Sequence, residues 1–180
     1  MFSAIFLDRD GVINKKIDND YVKTWDEFKF IKDAPEAIAF LRKQCKYLIV
    51  VTNQRGIAKG VMSIKSLEQI HDKMLIELND KGAYIDGVYY CPEEEGSYCR
   101  KPNTGMAMEA KSDFPEIDFG RSLMIGDSKS DLEFGKKLGM KTIWVDNANI
   151  AIPPELFNLK VISIKELVQD WSKHKYLRNV

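Results

Sequence analysis

The sequence predicts an α/β fold, a parallel sheet flanked by helices, in a single domain over residues 1–180. Three observations carry this reading. Strand-like apolar runs alternate with helix-like periodic stretches, the order that builds βαβ units. The strand-like runs are continuous rather than alternating, as in strands buried on both faces of a parallel sheet. The composition, 44% hydrophobic and 30% charged over 180 residues, suits one globular domain with a sizeable core.

The first strand is Ala4-Ile5-Phe6-Leu7, running directly into Asp8-Arg9-Asp10-Gly11. A polar stretch, residues 14–25, reads as a loop over the strand end. Asp33-Ala34-Pro35-Glu36 has the form of a helix start, an Asp cap with an early proline and a Glu three residues on. Ala34, Ile38, Leu41 and Cys45 follow at helical spacing, which makes Cys45 a core residue. The second strand is Tyr47-Leu48-Ile49-Val50-Val51, broken by Thr52-Asn53-Gln54-Arg55-Gly56.

Ile64, Leu67, His71, Met74 and Leu78 recur every three or four residues, the signature of a long amphipathic helix. His71 sits within that apolar series and reads as a packed histidine, since no second histidine lies near it to share a metal. Residues 85–91 form the third strand and lead into the acidic loop Glu93-Glu94-Glu95-Gly96. A helix is expected over residues 104–112, a fourth strand at Ser122-Leu123-Met124-Ile125, a helix from Asp131 to a stop at Gly139, and a fifth strand over residues 142–145. Ser163-Ile164-Lys165-Glu166 starts a terminal helix by a capping box, expected to pack on the sheet.

Lys+Arg and Asp+Glu balance at 27 each, so the chain as a whole has no electrostatic drive toward nucleic acid or anionic membrane. The N-terminus enters a strand without the basic and long apolar regions of a signal peptide, and no apolar stretch is long enough to span a bilayer. Three cysteines, an odd number, do not form a disulfide framework. A cytoplasmic protein is expected.

Open α/β folds place their ligands at the carboxyl edge of the sheet. There the first strand delivers Asp8 and Asp10, the second Thr52 and Asn53, the loop after the third Arg100 and Lys101, and the fourth Asp127. Close carboxylates repel one another unless a cation holds them, and an all-oxygen donor set suits Mg²⁺. Such an ion lets an anionic nucleophile approach a phosphate. Asp8 is placed to attack phosphorus, Asp10 to act as general acid and base, and Thr52 and Lys101 to stabilise phosphoryl oxygens. Each element alone has an ordinary explanation: a solvated basic face at Arg100-Lys101, a turn at Thr52-Asn53, a helix cap at Gly126-Asp127. Their collinear order, each after a predicted strand, argues for one site.

The ordered set Asp8-x-Asp10-Gly11, Thr52-Asn53-Gln54, Lys101-Pro102 and Gly126-Asp127 resembles the haloacid dehalogenase superfamily of phosphatases. Phe6-Leu7-Asp8-Arg9-Asp10-Gly11-Val12-Ile13-Asn14, Val51-Thr52-Asn53-Gln54-x-Gly56-Ile57-Ala58-x-Gly60, Tyr89-Tyr90-Cys91-Pro92 and Cys99-Arg100-Lys101-Pro102 look like one subgroup, the heptose 1,7-bisphosphate 7-phosphatases and related histidinol-phosphate phosphatases. The resemblance implies a three-layer Rossmann-like core without a cap domain, an open site and a monomer. It assigns Asp8 as nucleophile and Asp10 as general acid and base. It gives Mg²⁺ to the side chains of Asp8 and Asp127 and the backbone carbonyl of Asp10, with Asp131 in support. Substrate contacts are expected from Arg9, Asn14, Tyr21, Asn53, Gln54, Arg55 and Arg100.

The chain departs from that pattern twice. Many relatives carry a zinc loop, Cys-x-His followed by Cys-x-Cys, before Arg-Lys-Pro. Here Glu93 and Ser97 replace two of the ligands, and the two remaining thiolates make a poor zinc site. A compact metal-free loop is therefore expected, with Cys91 and Cys99 as reduced thiols, a disulfide being disfavoured in a reducing compartment. Relatives also often have a lysine after the second-site aspartate, where this chain has Gly126-Asp127-Ser128-Lys129.

The first expectation for substrate is the 7-phosphate of a heptose 1,7-bisphosphate, serving surface-polysaccharide or lipopolysaccharide synthesis, because Arg100 suits a second phosphate. Histidinol phosphate is the runner-up, its amine matched to residues 93–95. A polynucleotide 3′-phosphatase is disfavoured by the zero net charge. A phosphosugar-binding module without turnover is disfavoured by the retention of both Asp8 and Asp10.

Overall fold

The computed structural model describes residues 1–147 and 150–174. Six parallel strands form one sheet: β1 (Phe2–Leu7), β2 (Cys45–Asn53), β3 (Gly87–Cys91), β4 (Leu123–Gly126), β5 (Lys141–Val145) and β6 (Leu159–Val161), in the order β3-β2-β1-β4-β5-β6. The order reverses beside β1, whose register with β4 pairs Ile5 with Leu123 and Leu7 with Ile125. A topological switch of this kind opens a crevice at the carboxyl ends of the strands.

Strand alternation sorts the core into two layers. Ile5 and Leu7 of β1, Leu48 and Val50 of β2, and Leu123 and Ile125 of β4 pack toward α1 (Ala34–Arg42), α2 (Ile64–Asp80) and α5 (Ile164–Gln169). Ala4, Phe6, Ile49, Val51 and Met124 pack on the other face toward α3 (Gly105–Asp113) and α4 (Lys129–Lys137). The expected three-layer Rossmann-like α/β architecture is therefore present. The terminal helix packs through Ile164 and Leu167, and Trp171 in the turn after it meets Phe2 of β1 at 6.1 Å and Phe40 of α1 at 5.9 Å.

Four local expectations are corrected. Asp33 does not cap α1: its backbone is left-handed (φ 63°) and its carboxylate pairs with Lys165 of α5 at 2.6 Å, so a tertiary ion pair displaces the local cap. Helix α4 starts two residues before Asp131, because Ser128 is the cap and Asp131 the third helical residue, its Oδ2 accepting from the Ser128 amide at 2.9 Å. A sixth strand, β6, adds to β5; at three residues it is too short to show a period in sequence. Finally, Cys91 and Cys99 are joined as a disulfide rather than lying as reduced thiols. The loop between them turns back on itself, bringing their Cα atoms to 5.4 Å, a normal separation for a bridged pair. Cys45, the remaining cysteine, is buried as expected.

Candidate active site

Four parallel strands and their following loops bring the predicted residues to one sheet edge, where they divide into two clusters. The first is ionic. Asp8 continues β1, its amide donating to the Ile125 carbonyl of β4 at 2.9 Å. Its Oδ1 accepts from Lys101 Nζ at 2.7 Å. The same ammonium donates to the Val51 carbonyl at 2.7 Å and lies 2.6 Å from Asp131 Oδ1, so Lys101 is fixed between two carboxylates and the end of β2. Across the cluster, Asp127 meets Lys16 at 2.6 Å and Asn147 at 3.3 Å.

Carboxylate oxygens of Asp8, Asp127 and Asp131 all lie within 4.8 Å of one another, and all three residues are buried. Burial, with Asp131 and Asp127 adding to it against Lys101, pushes Asp8 up to about 7. Burial also raises Asp127, despite Lys16. Burial would raise Asp131 as well, but Lys101 and Ser128 outweigh it and hold this group below the ordinary carboxylate range. Burial works against the charge of Lys16, yet Asp127 and Asp8 more than restore it, so its pKa is raised. Three buried carboxylates against two lysines leave the cluster short of positive charge. This all-oxygen donor set fits a hard divalent cation.

The second cluster is a cage of donors around Asp10. Arg9 Nη2 donates to both Asp10 oxygens at 2.9 and 2.8 Å, Asn14 Nδ2 to Oδ1 at 2.8 Å, and Gln54 Nε2 to Oδ2 at 2.9 Å. Burial pulls the Asp10 pKa upward, but Arg9, Asn14 and Gln54 outweigh it and leave the group lowered. Arg9 is itself held by His71, whose Nε2 lies 3.1 Å from Nη1. Burial and the Arg9 charge push His71 down to about 3, so the ring is neutral; arginine can only donate, and Nε2 accepts. Gln54 Nε2 also donates to Thr52 Oγ1 at 2.8 Å, which leaves the threonine proton available.

Backbone geometry locks the two clusters together. Gly11 has φ 96°, and a Cβ there would fall 1.9 Å from Asp127 Oδ2. Asn147 Nδ2 ties the Gly11 carbonyl at 2.6 Å. Asn53 clasps the Lys101 backbone in both directions, donating to its carbonyl at 3.1 Å and accepting from its amide at 3.0 Å. Tyr21, Asn53, Gln54, Lys16 and Asp10 line a cleft of about 170 Å³, and a larger cavity of about 320 Å³ opens on the side of Gly11 that faces Val145 and Ile164.

Arg9 and Asn14 do not present themselves to substrate as expected. Both are fully buried and turned inward: Arg9 Nη2 and Asn14 Nδ2 donate to Asp10, and Arg9 Nη1 meets His71. Arg55 is turned to the acidic loop, paired with Glu94 and, at 3.1 Å, with Glu95. Arg100 keeps a buried Nη1 without a hydrogen-bond partner. Two residues of the site escape the sequence reading. Lys16 lies in an aperiodic polar loop that gives no signal, whereas Asn147 follows the fifth predicted strand, the one strand end left out of the tally.

The chain matches the model of the HAD-hydrolase-like family over residues 98–151. It is 41% identical over 148 residues to the D-glycero-beta-D-manno-heptose-1,7-bisphosphate 7-phosphatase of Haemophilus ducreyi, covering 77% of this chain and 80% of that one. It is 39% identical over 132 residues to the D-glycero-alpha-D-manno-heptose-1,7-bisphosphate 7-phosphatase of Mycobacterium tuberculosis, covering 72% and 70%. Its fold superposes on the crystal structure of D,D-heptose 1,7-bisphosphate phosphatase from B. bronchiseptica, complexed with magnesium and phosphate, at a TM-score of 0.83, with 28% identity and coverage of 96% and 99%. The chain therefore belongs to the haloacid dehalogenase-like phosphatases, in the subgroup that contains the heptose 1,7-bisphosphate 7-phosphatases. It is a phosphoric monoester hydrolase. No helix among the described residues is long and apolar enough to cross a membrane.

Proposed function

We propose that this protein removes the 7-phosphate of a D-glycero-D-manno-heptose 1,7-bisphosphate, in the cytoplasm and as a monomer, through a phosphoryl group carried on Asp8. The observation that supports it most is the contrast between Asp8, set among carboxylates and held by Lys101 at 2.7 Å, and Asp10, caged by three donors two residues away. Asp8 and Asp127, with the Asp10 backbone carbonyl and with Asp131 in support, are the groups to hold Mg²⁺. When bound, the ion neutralises the carboxylates and the phosphate and orients phosphorus for in-line attack.

In the first half-reaction an Asp8 oxygen bonds to phosphorus as the bond to the sugar C7 oxygen breaks, and Asp10, which must enter this step protonated against the donors that favour its ionised form, gives that oxygen its proton. In the second, Asp10 takes a proton from water as the water oxygen attacks phosphorus. Inorganic phosphate leaves with the electron pair restored to Asp8. Lys101 and the Thr52 hydroxyl offset charge on the phosphoryl oxygens. Tyr21, Asn53 and Gln54 line the cleft beside Asp10 and are placed to hold the sugar. The buried, unpartnered Nη1 of Arg100 suits the second phosphate.

Histidinol phosphate fits less well. Of residues 93–95, expected to meet its amine, Glu94 and Glu95 are already engaged by Arg55. Relatives specific for the alpha and beta anomers match this chain at 39% and 41% identity, so experiment assigns the anomer. Phosphate release with Mg²⁺ should be strongest on one heptose 1,7-bisphosphate anomer, weak on histidinol phosphate, and abolished by EDTA and by D8N. A preference for histidinol phosphate would overturn the substrate reading, and turnover by D8N would overturn the mechanism.

A further inference from the structure

The ionic cluster contains two lysines that differ in freedom. Lys101 is 1% exposed and bonded to three acceptors. Lys16 has a 46% exposed side chain and reaches Asp127, which is only 2% exposed, from the loop that follows β1. An ion pair buried at the carboxylate end and solvated at the ammonium end has one fixed and one movable partner. The lysine stem passes over Gly11, its Cε 3.0 Å from where a Cβ would stand.

Lys16 also lines both the cleft beside Asp10 and the larger cavity across Gly11, so its ammonium has room on either side. Lys129, the next lysine after Asp127 in sequence, cannot serve here: it pairs with Glu133 at 3.4 Å with its side chain 59% exposed.

We propose that Lys16 is a phosphate-binding residue of this active site, one that pairs with Asp127 and yields that carboxylate to the divalent cation. The inference rests on the proposed function and deepens it. Lys16 Nζ lies 2.7 and 2.6 Å from the two Asp127 oxygens, whereas Lys101 takes a single oxygen of Asp8, so a dication at Asp127 contests the ammonium directly. Lys16, released but tethered by the short segment from Gly11, then faces the phosphoryl oxygens of the substrate in the cleft that it lines beside Asp10. The cleft thereby gains a flexible cation to complement the fixed Lys101. Cation and lysine compete, whereas lysine and phosphate cooperate.

The test uses the full chain, wild type and the variants K16M, K16R and D127N. Mn²⁺ binding is titrated by electron paramagnetic resonance without phosphate, and inorganic phosphate is then titrated into the Mn²⁺-loaded protein by calorimetry. For K16M, Mn²⁺ should bind about 5-fold or more tighter, the size of a typical coupling between sites. Phosphate should bind that loaded variant about 10-fold more weakly, the loss of one charge-assisted contact. K16R should retain phosphate affinity. Unchanged or weaker Mn²⁺ binding in K16M would overturn the competition, and unchanged phosphate affinity would overturn the phosphate contact. If wild type and D127N bind Mn²⁺ equally, the metal reading falls, and the role of Lys16 falls with it.

Discussion

Asp8 and Asp10 are two residues apart, of one type and both largely buried, yet their surroundings drive them in opposite directions. Asp8 faces Asp127 and Asp131 and is pushed up to about 7. Asp10 faces Arg9, Asn14 and Gln54 and is held low. The first environment concentrates negative charge that only cations relieve, and the second supplies hydrogen bonds that fix a carboxylate in one orientation. The comparison teaches that chemical character follows neighbours: the proposed nucleophile sits where negative charge calls for a cation, and the proposed proton carrier where hydrogen bonds fix its orientation.

The sharpest way to break the contrast is D8N, which removes the proposed nucleophile and should lower turnover on the order of 10⁴-fold or more. No phosphorylated enzyme should be trapped on acid quench, as read by intact mass. D10N should cost roughly 10²–10⁴-fold with a sugar phosphate. Its deficit in the first half-reaction should shrink with p-nitrophenyl phosphate, whose leaving group needs no proton, so a burst followed by slow dephosphorylation is the expected trace.

K101M removes the cation between Asp8 and Asp131 and should destabilise the fold by about 3–5 kcal/mol, measured by urea unfolding without metal. An unchanged midpoint would mean that Asp8 and Asp131 do not depend on Lys101.

The last effect, on the support behind Asp10, grows only as the medium is acidified. His71 is held near 3 when folded, against about 6.5 when unfolded. Between these values the unfolded chain binds a proton that the folded chain does not, so stability falls as pH falls through that window. Wild type should therefore lose stability relative to H71Q by about 1.4 kcal/mol per pH unit below roughly 6.5, levelling near 3. A pH-independent difference between the two proteins would show that His71 is not buried neutral against Arg9.

What the sequence made legible follows from what has a period or a fixed spacing. Continuous apolar runs place β1, β2 and β4, and the strand ends place Asp8, Asp127 and Lys101 at one edge. Features decided by tertiary contact were illegible. Asp33 looks like a cap until Lys165 claims it. Arg9 and Asn14 look like substrate contacts until burial turns them on Asp10. Cysteine arithmetic and compartment argued for free thiols at Cys91 and Cys99, but neither sees that the loop returns on itself. Lys16 comes from a loop whose course no local pattern encodes.

The glycine at position 11 has a consequence for how the sheet assembles. With Asp127 Oδ2 1.9 Å from the place a side chain would begin, the turn after β1 and the end of β4 fit each other in one alignment only. A slip of one residue between these strands would invert every side chain of β4 across the sheet and separate the carboxylates. Pairing β1 with β4 in this register therefore also brings the carboxylates of the site together.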